Sequence, residues 1–423
     1  MVTPANSKPE RITIIGAGLF GLTTALELTR RGYKVLVLNR SLPPVPDGAS
    51  VDISRVIRPD YADEFYTKMG LEAMKGWEGD FSPYFHRSGL LCVARGNKHA
   101  YLEDSRTNLE NMGVKVENLE EEQLRTRCSA MIGDLSDLKG YFNPVCGWAD
   151  AQQSIQEMAR RCALAGVSFI TGPEGTVTSL IKEHDKVVAV KTSSGTVLQS
   201  DVIILATGAW TPHIIDMDKT SISSSQPVGF IQLTAKEAGQ LKDCPVIINL
   251  STGWFSFPPT PGNHVLKMAR HGYGYEIPQQ SNSRRRPFSA PLLHANNTKS
   301  QFLPADAEQA LKEGLSGFFP QFKTKEFSNR RLCWYSDTPK GDFIVDYHPD
   351  FDNLFIATGD SGHAFKFLPV IGRYVADSFE GKASEIQKLR WKFRRSSAPI
   401  SRGDGSRGGP PRRALNGEEL AKL

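Results

Sequence analysis

No stretch of this sequence stays apolar for the roughly 18 to 20 residues that a membrane-crossing helix needs. The opening residues, Met1 to Ser7, lack the basic start and apolar run of a secretory signal. Cysteine is scarce. The six, Cys92, Cys128, Cys146, Cys162, Cys244 and Cys333, stand apart with no C-x-x-C pair. That spacing argues against zinc sites and redox dithiols, and reduced thiols in an intracellular compartment are the expectation. What remains is ordinary globular composition in 423 residues, room for two or three domains.

A strong charge imbalance is missing too, although the net charge is +5. From Lys388 onward there are ten Lys or Arg against three Asp or Glu, a balance of +7, which leaves the body near −2. The excess belongs to a stretch rich in Arg, Gly, Ser and Pro, residues 396–416, which reads as a tail too polar to pack. It carries no interleaved aromatics and the body is not basic, so nucleic acid is not the expected partner. The sequence ends Ala421-Lys422-Leu423, a close variant of the S-K-L peroxisomal address. A flexible tail would present it to the import receptor, so a peroxisomal location is expected, with the cytoplasm as the alternative.

Near the start, Ile12 to Ile15 has the pattern of a buried strand, and Gly16-Ala17-Gly18-Leu19-Phe20-Gly21 follows at once. A helix is predicted to about Arg31, stopped by Gly32, and a second strand runs from Lys34 to Leu38. This is a βαβ opening with glycines where a dinucleotide fingerprint needs them: Gly16 for the turn, Gly18 for approach to the pyrophosphate, Gly21 for helix–strand packing. The position expected to grip the ribose holds Asn39 instead of an acid, and Arg40 beside it keeps NADP open.

Further strand-and-turn segments lie at 167–177, 187–197 and 201–210. The strand ending Ala206-Thr207-Gly208 has a second copy about 150 residues later, ending Ala357-Thr358-Gly359-Asp360. Small residues there let backbone lie against a flat cofactor. Two copies so far apart make the nucleotide domain discontinuous. Its parts are expected at 8–90, 141–210 and 330–395, with a substrate domain at 91–140 and 211–329 and a disordered basic tail at 396–423. Arg284-Arg285-Arg286 is expected in a solvated loop.

Two later segments are more specific. One reads Arg331-Leu332-Cys333-Trp334-Tyr335-Ser336-Asp337, the other Gly359-Asp360-Ser361-Gly362-His363-Ala364-Phe365-Lys366. Together with the fingerprint, they resemble the sarcosine oxidase, L-pipecolate oxidase and fructosyl-amino-acid oxidase family of FAD-dependent amine oxidases. The resemblance covers the chain to about Arg395. It implies an α/β fold with a Rossmann-like FAD-binding domain and a mixed-sheet substrate domain. It also implies FAD bonded covalently through Cys333 and oxidation of a secondary-amine amino acid, with O2 reduced to hydrogen peroxide.

Residue by residue, the resemblance puts Arg55, in Ser54-Arg55-Val56-Ile57-Arg58, over the flavin, and Arg58 and Lys366 on the substrate carboxylate. It makes Lys267 the oxygen-activating lysine, with His271 four positions on as a further catalytic residue, and Tyr335 and Phe255 walls of the substrate pocket. Cofactor contacts are implied at Gly16, Ala17, Gly18, Phe20, Gly21, Asn39, Arg40, Ser54, Arg55, Val177, Thr207, Gly208, Trp210, Cys333, Asp360, Gly362, His363, Phe365 and Lys366. Arg390-Trp391-Lys392-Phe393-Arg394 partly resembles a region that holds the sugar of glycated substrates. Candidate substrates are L-pipecolate, sarcosine, L-saccharopine and fructosyl amino acids, and a monomer is the implied state. Two alternatives stay open: a flavin dehydrogenase with another electron acceptor, and a non-catalytic dinucleotide-binding protein.

Overall fold

The computed structural model describes residues 11–96, 99–217, 219–280, 287–293, 300–395 and 403–423. Arg284 to Arg286 and residues 396–402 of the expected tail lie outside them. The Ile12–Ile15 strand is fully enclosed. It pairs in parallel with Val35–Leu38 on one side and Val202–Leu205 on the other. Ser168–Ile170 and Leu354–Thr358 extend this sheet in parallel, and Ile344–Tyr347 closes one edge antiparallel. A sheet buried on both faces needs unbroken apolar strands, and Ile-Thr-Ile-Ile, Val-Leu-Val-Leu and Val-Ile-Ile-Leu supply them. The Leu19–Arg30 helix crosses from the first strand to the second and lies among the helices covering one face.

The second domain is a ten-stranded mixed sheet. Its centre is the long Ile222–Gln232 strand, flanked by Val265–Arg270 and Asn329–Asp337. The Ala305–Phe318 helix packs Leu311, Leu315 and Phe318 into the apolar layer behind it. Together the two sheets form the expected α/β architecture with a mixed-sheet substrate domain.

Three expectations change. The Cys333 strand is not part of the nucleotide sheet: Asn329–Asp337 pairs along nine residues with the substrate sheet, and the chain returns to the nucleotide sheet only at Ile344. The Val187–Val190 segment lies in a separate antiparallel sheet of three strands, Val177–Glu183, Lys186–Thr192 and Val197–Gln199. Alternation in one strand does not reveal its partner, so neither placement was legible. Lastly, Cys128 and Cys244, 116 residues apart, are joined as a disulfide, where reduced thiols were expected.

The C-terminal stretch is not a disordered tail over its described residues, 403–423. Arg413–Ala414 adds a parallel strand beside Tyr275–Glu276, and Gly417–Leu420 forms a helical turn capped by Asn416 and Glu419. Its arginines are paired, not solvated. Arg407 and Arg412 both bond the buried Asp337, and Arg413 bonds Asp306 and Glu419. Leu420 and Leu423 pack against the apolar layer of the substrate domain. The basic composition therefore reflects ion pairing with the body, which charge counting along the sequence cannot show.

Candidate active site

A cavity of about 620 Å³ runs from the glycine fingerprint to the substrate sheet. At the fingerprint end, Gly16 has φ +105°, and a Cβ there would sit 2.5 Å from the Ala206 carbonyl oxygen. A Cβ on Gly21 would sit 1.9 Å from the Gly16 oxygen, so Gly21 packs helix on strand and does not line the cavity. Gly18 caps the helix without a side-chain bond. The first turn thus turns backbone N–H groups and a partial positive charge toward the cavity, which suits a pyrophosphate.

Asn39 braces this loop. Its Oδ1 accepts from Ala17 N at 3.1 Å, and its Nδ2 donates to the Ser41 carbonyl at 2.6 Å. Arg40 is held by Asp47 at 2.5 Å and lies 4.8 Å over the Trp210 ring, so its charge is already matched and it gives no reason to prefer NADP. Sequence reasoning missed Ser50, whose Oγ accepts from Leu19 N at 3.0 Å and which lines the cavity. Ala17, Phe20, Val177, Thr207, Gly208 and Trp210 line the same end, as expected.

At the other end lie Arg55, Arg58, Phe255, His271, Cys333, Tyr335, Asp360, Gly362, His363, Phe365 and Lys366. Residues far apart in sequence meet here because the Arg55–Ile57 strand, the Asn329–Asp337 strand and the segment 360–366 all border one cleft. The Cys333 sulfur is buried and accepts from Arg55 Nη2 at 3.3 Å. Tyr335 lies against Gly362, whose φ is +74° and whose added Cβ would be 2.3 Å from the ring, so only glycine leaves the tyrosine its place. His271 joins Tyr335 OH at 3.3 Å and Ser406 Oγ at 3.0 Å. Burial and the nearby Arg407 hold its pKa down, so it is neutral. Ser406 reaches the cavity from the C-terminal stretch and was not foreseen.

Arg58 and Lys366 are both buried. Arg58 Nη2 donates to Tyr101 OH at 3.3 Å and stacks 5.0 Å over Tyr61. Lys366 Nζ donates to Tyr61 OH and to the His363 carbonyl, each at 2.9 Å. Among the described residues neither forms an ion pair. Burial and the neighbouring Arg58 push the Lys366 pKa well below its usual value. His363 is a support here: its ring nitrogens go to Tyr61 OH at 2.9 Å and the Gly341 carbonyl at 2.7 Å. The Asp360 carboxylate accepts from Ser336 N and Gly362 N, and burial lifts its pKa to about 6.

Lys267 does not line the cavity. It is 1 % exposed and lies one layer behind, 4.7 Å over Phe257, with Nζ on the Ser54 carbonyl at 2.5 Å and on Asp52 at 2.7 Å. Burial drags its pKa to about 7, and Arg55 and Arg331 oppose the pull of Asp52. Ser54, expected at the cofactor, is fully enclosed and also one layer back. Residues Arg390 to Arg394 are absent from the cavity: Trp391 is buried against Tyr66, and Arg390 pairs with Asp63 and Asp342. The sugar-holding role that the resemblance gave this segment has no place at the site.

A glycine cradle over a helix N-terminus, leading to a cleft edged by arginine and cysteine, fits FAD. A family profile for FAD dependent oxidoreductases matches residues 11–378. The chain belongs to that family. This oxidoreductase is 32% identical over 403 residues to L-saccharopine oxidase of Schizosaccharomyces pombe, covering 90% of this chain and 93% of that one. It is 25% identical to monomeric sarcosine oxidase of a Bacillus species, covering 86% and 91%. Among solved structures, fructosamine oxidase from Aspergillus fumigatus (Amadoriase II) superposes with a TM-score of 0.83 at 30% identity, over 96% of this chain and 95% of that one. Fructosyl peptide oxidase from E. terrenum gives 0.86 at 28% identity, over 98% and 97%.

Proposed function

We propose that this FAD-dependent oxidoreductase is an oxidase of a secondary-amine amino acid: L-pipecolate, sarcosine, L-saccharopine or a fructosyl amino acid. The observation that carries the reading is the pair Arg58 and Lys366, two buried basic side chains on the cavity wall that form no ion pair among the described residues. Holding both charged side by side is costly unless an anion joins them, and a substrate carboxylate is that anion. Clamped there, the carbon next to nitrogen is held for reaction in one orientation. When bound, FAD supplies the two-electron chemistry, taking a hydride equivalent from that carbon and passing the electrons to O2 as hydrogen peroxide. The nitrogen loses its proton, and water hydrolyses the resulting imine. Lys267 in its charged form stabilises the negative charge that oxygen gains.

The cofactor is attached through Cys333. Thiolates are the reactive form of cysteine, and Arg55 sets a positive charge 3.3 Å from this sulfur. Attachment would be oxidative, the Cys333 thiol giving up its proton and the flavin carbon it joins giving up a hydride equivalent, with O2 as the two-electron acceptor. The enzyme works as a monomer in the peroxisome, addressed by Ala421-Lys422-Leu423, of which Ala421 and Lys422 are exposed. A peroxide-coupled screen of secondary amino acids, glycated amino acids and their esters, with O2 as sole acceptor, tests the function. Turnover only with an artificial acceptor would favour the dehydrogenase reading.

A further inference from the structure

The mechanism leaves one buried acid unused. Asp52 is 4 % exposed and stands two residues before Ser54, below the cavity floor. Its Oδ2 accepts from Arg55 Nη1 at 2.6 Å, Lys267 Nζ at 2.7 Å and Arg331 Nη2 at 3.1 Å. Its Oδ1 accepts from Ile53 N at 2.8 Å. One oxygen therefore gathers cations from three parts of the chain: its own loop, the Val265–Arg270 strand and the Cys333 strand. Two of them have a second contact that matters. Arg55 reaches the Cys333 sulfur through Nη2, and Lys267 reaches the Ser54 carbonyl. We propose that Asp52 is the positioning residue of this site, a single anchor that sets both Arg55 at Cys333 and Lys267 beneath the cofactor.

The electrostatics follow from that geometry. Three cations share one carboxylate. Asp52 stays ionised, because Lys267, Arg55 and Arg331 together overcome the burial that would otherwise protonate it. Lys267 is left near its switching point, since burial, Arg55 and Arg331 all favour its neutral form and Asp52 is the charged group that opposes them. The remaining facing group, the Phe257 ring, is uncharged. Removing the acid and removing its third cation should therefore move the lysine in opposite directions.

The inference rests on the oxygen role proposed for Lys267, and Lys267→Met tests that role separately. In the full-length holoenzyme, Asp52→Asn keeps shape and loses charge. Reoxidation of the reduced cofactor by O2, followed against pH by stopped flow, should then lose its cationic lysine about one pH unit or more lower than in the parent. At neutral pH it should slow about tenfold or more, while anaerobic reduction by substrate stays within about threefold because Asp52 touches neither Arg58 nor Lys366. The share of flavin that stays with acid-precipitated Asp52→Asn protein should fall below half of the parent's. A merely structural role would move none of these selectively. Arg331→Gln covers the case in which Asp52→Asn does not fold, and its oxygen step should shift to higher pH. An unshifted profile, or shifts of the same sign in both variants, would overturn the anchor. If Lys267→Met leaves reoxidation intact, the oxygen reading fails first. If it slows reoxidation while the Asp52 and Arg331 variants keep the parent profile, only the anchor fails.

Discussion

Replacing Lys366 by Met tests the carboxylate clamp most directly. Lys366 is buried, donates to Tyr61 OH and the His363 carbonyl, and shares its space with the Arg58 guanidinium. The substitution leaves Arg58 in place and removes one charge-assisted hydrogen bond, worth about 1.5–3 kcal/mol. At 1.36 kcal/mol per factor of ten, kcat/KM should fall roughly ten- to 150-fold. Arg58→Met should cost as much or more, since a guanidinium can hold a carboxylate through two parallel bonds. The pH dependence has a definite sign. Burial and Arg58 lower the Lys366 pKa in the free enzyme, so a carboxylate ligand must draw a proton onto the amine as it binds. Affinity for a simple carboxylate inhibitor should weaken as pH rises, and this slope should vanish in Lys366→Met. The assay is steady-state kinetics with a substrate acid and its methyl ester, beside inhibitor titrations at several pH values. Equal kcat/KM for acid and ester in the parent enzyme, or a loss below about threefold in both variants, would refute the clamp.

The remaining predictions use other measurements. Intact mass should exceed the polypeptide by one FAD, and Cys333→Ser should release its flavin into the supernatant on acid precipitation. Reoxidation by O2 should slow as pH rises through about 7, because Lys267 loses its charge there, and Lys267→Met should flatten that profile while sparing anaerobic reduction. A fluorescent protein fused to the N-terminus should give peroxisomal puncta that become diffuse when residues 421–423 are deleted, with kcat unchanged. Deleting residues 403–423 should instead abolish activity and lower Tm, because Asp337 is left buried without Arg407 and Arg412, a cost of about 3–5 kcal/mol.

The nucleotide half of this molecule was legible because its signals are local. Gly16, Gly18 and Gly21 are spaced for one turn, and the apolar tetrapeptides around them have no other use. Arg58, Lys366, Cys333 and Tyr335 were found through their surrounding motifs, and the cavity brings all four together. Asp52 was not found, since an acid two residues before Ser54 has no periodicity that marks it; its meaning lies in Lys267 and Arg331, more than 200 positions away. Ser406 and Arg407 were misread for the same reason. A run of Arg, Gly and Ser resembles a solvated tail until its acids, Asp337 and Asp306, are brought alongside by the fold.

The cavity wall that Ser406 completes has a consequence for how the enzyme comes into being. Gly16 is among the first residues made, whereas Ser406 follows about 390 residues later, some 20 to 80 seconds at ordinary rates of protein synthesis. For that interval the nascent chain can offer a cradle for the nucleotide but no closed chamber for the reaction. A chain that stops short of Ser406 therefore carries the nucleotide cradle without this part of the chamber wall, so the site is completed only as the polypeptide is nearly finished.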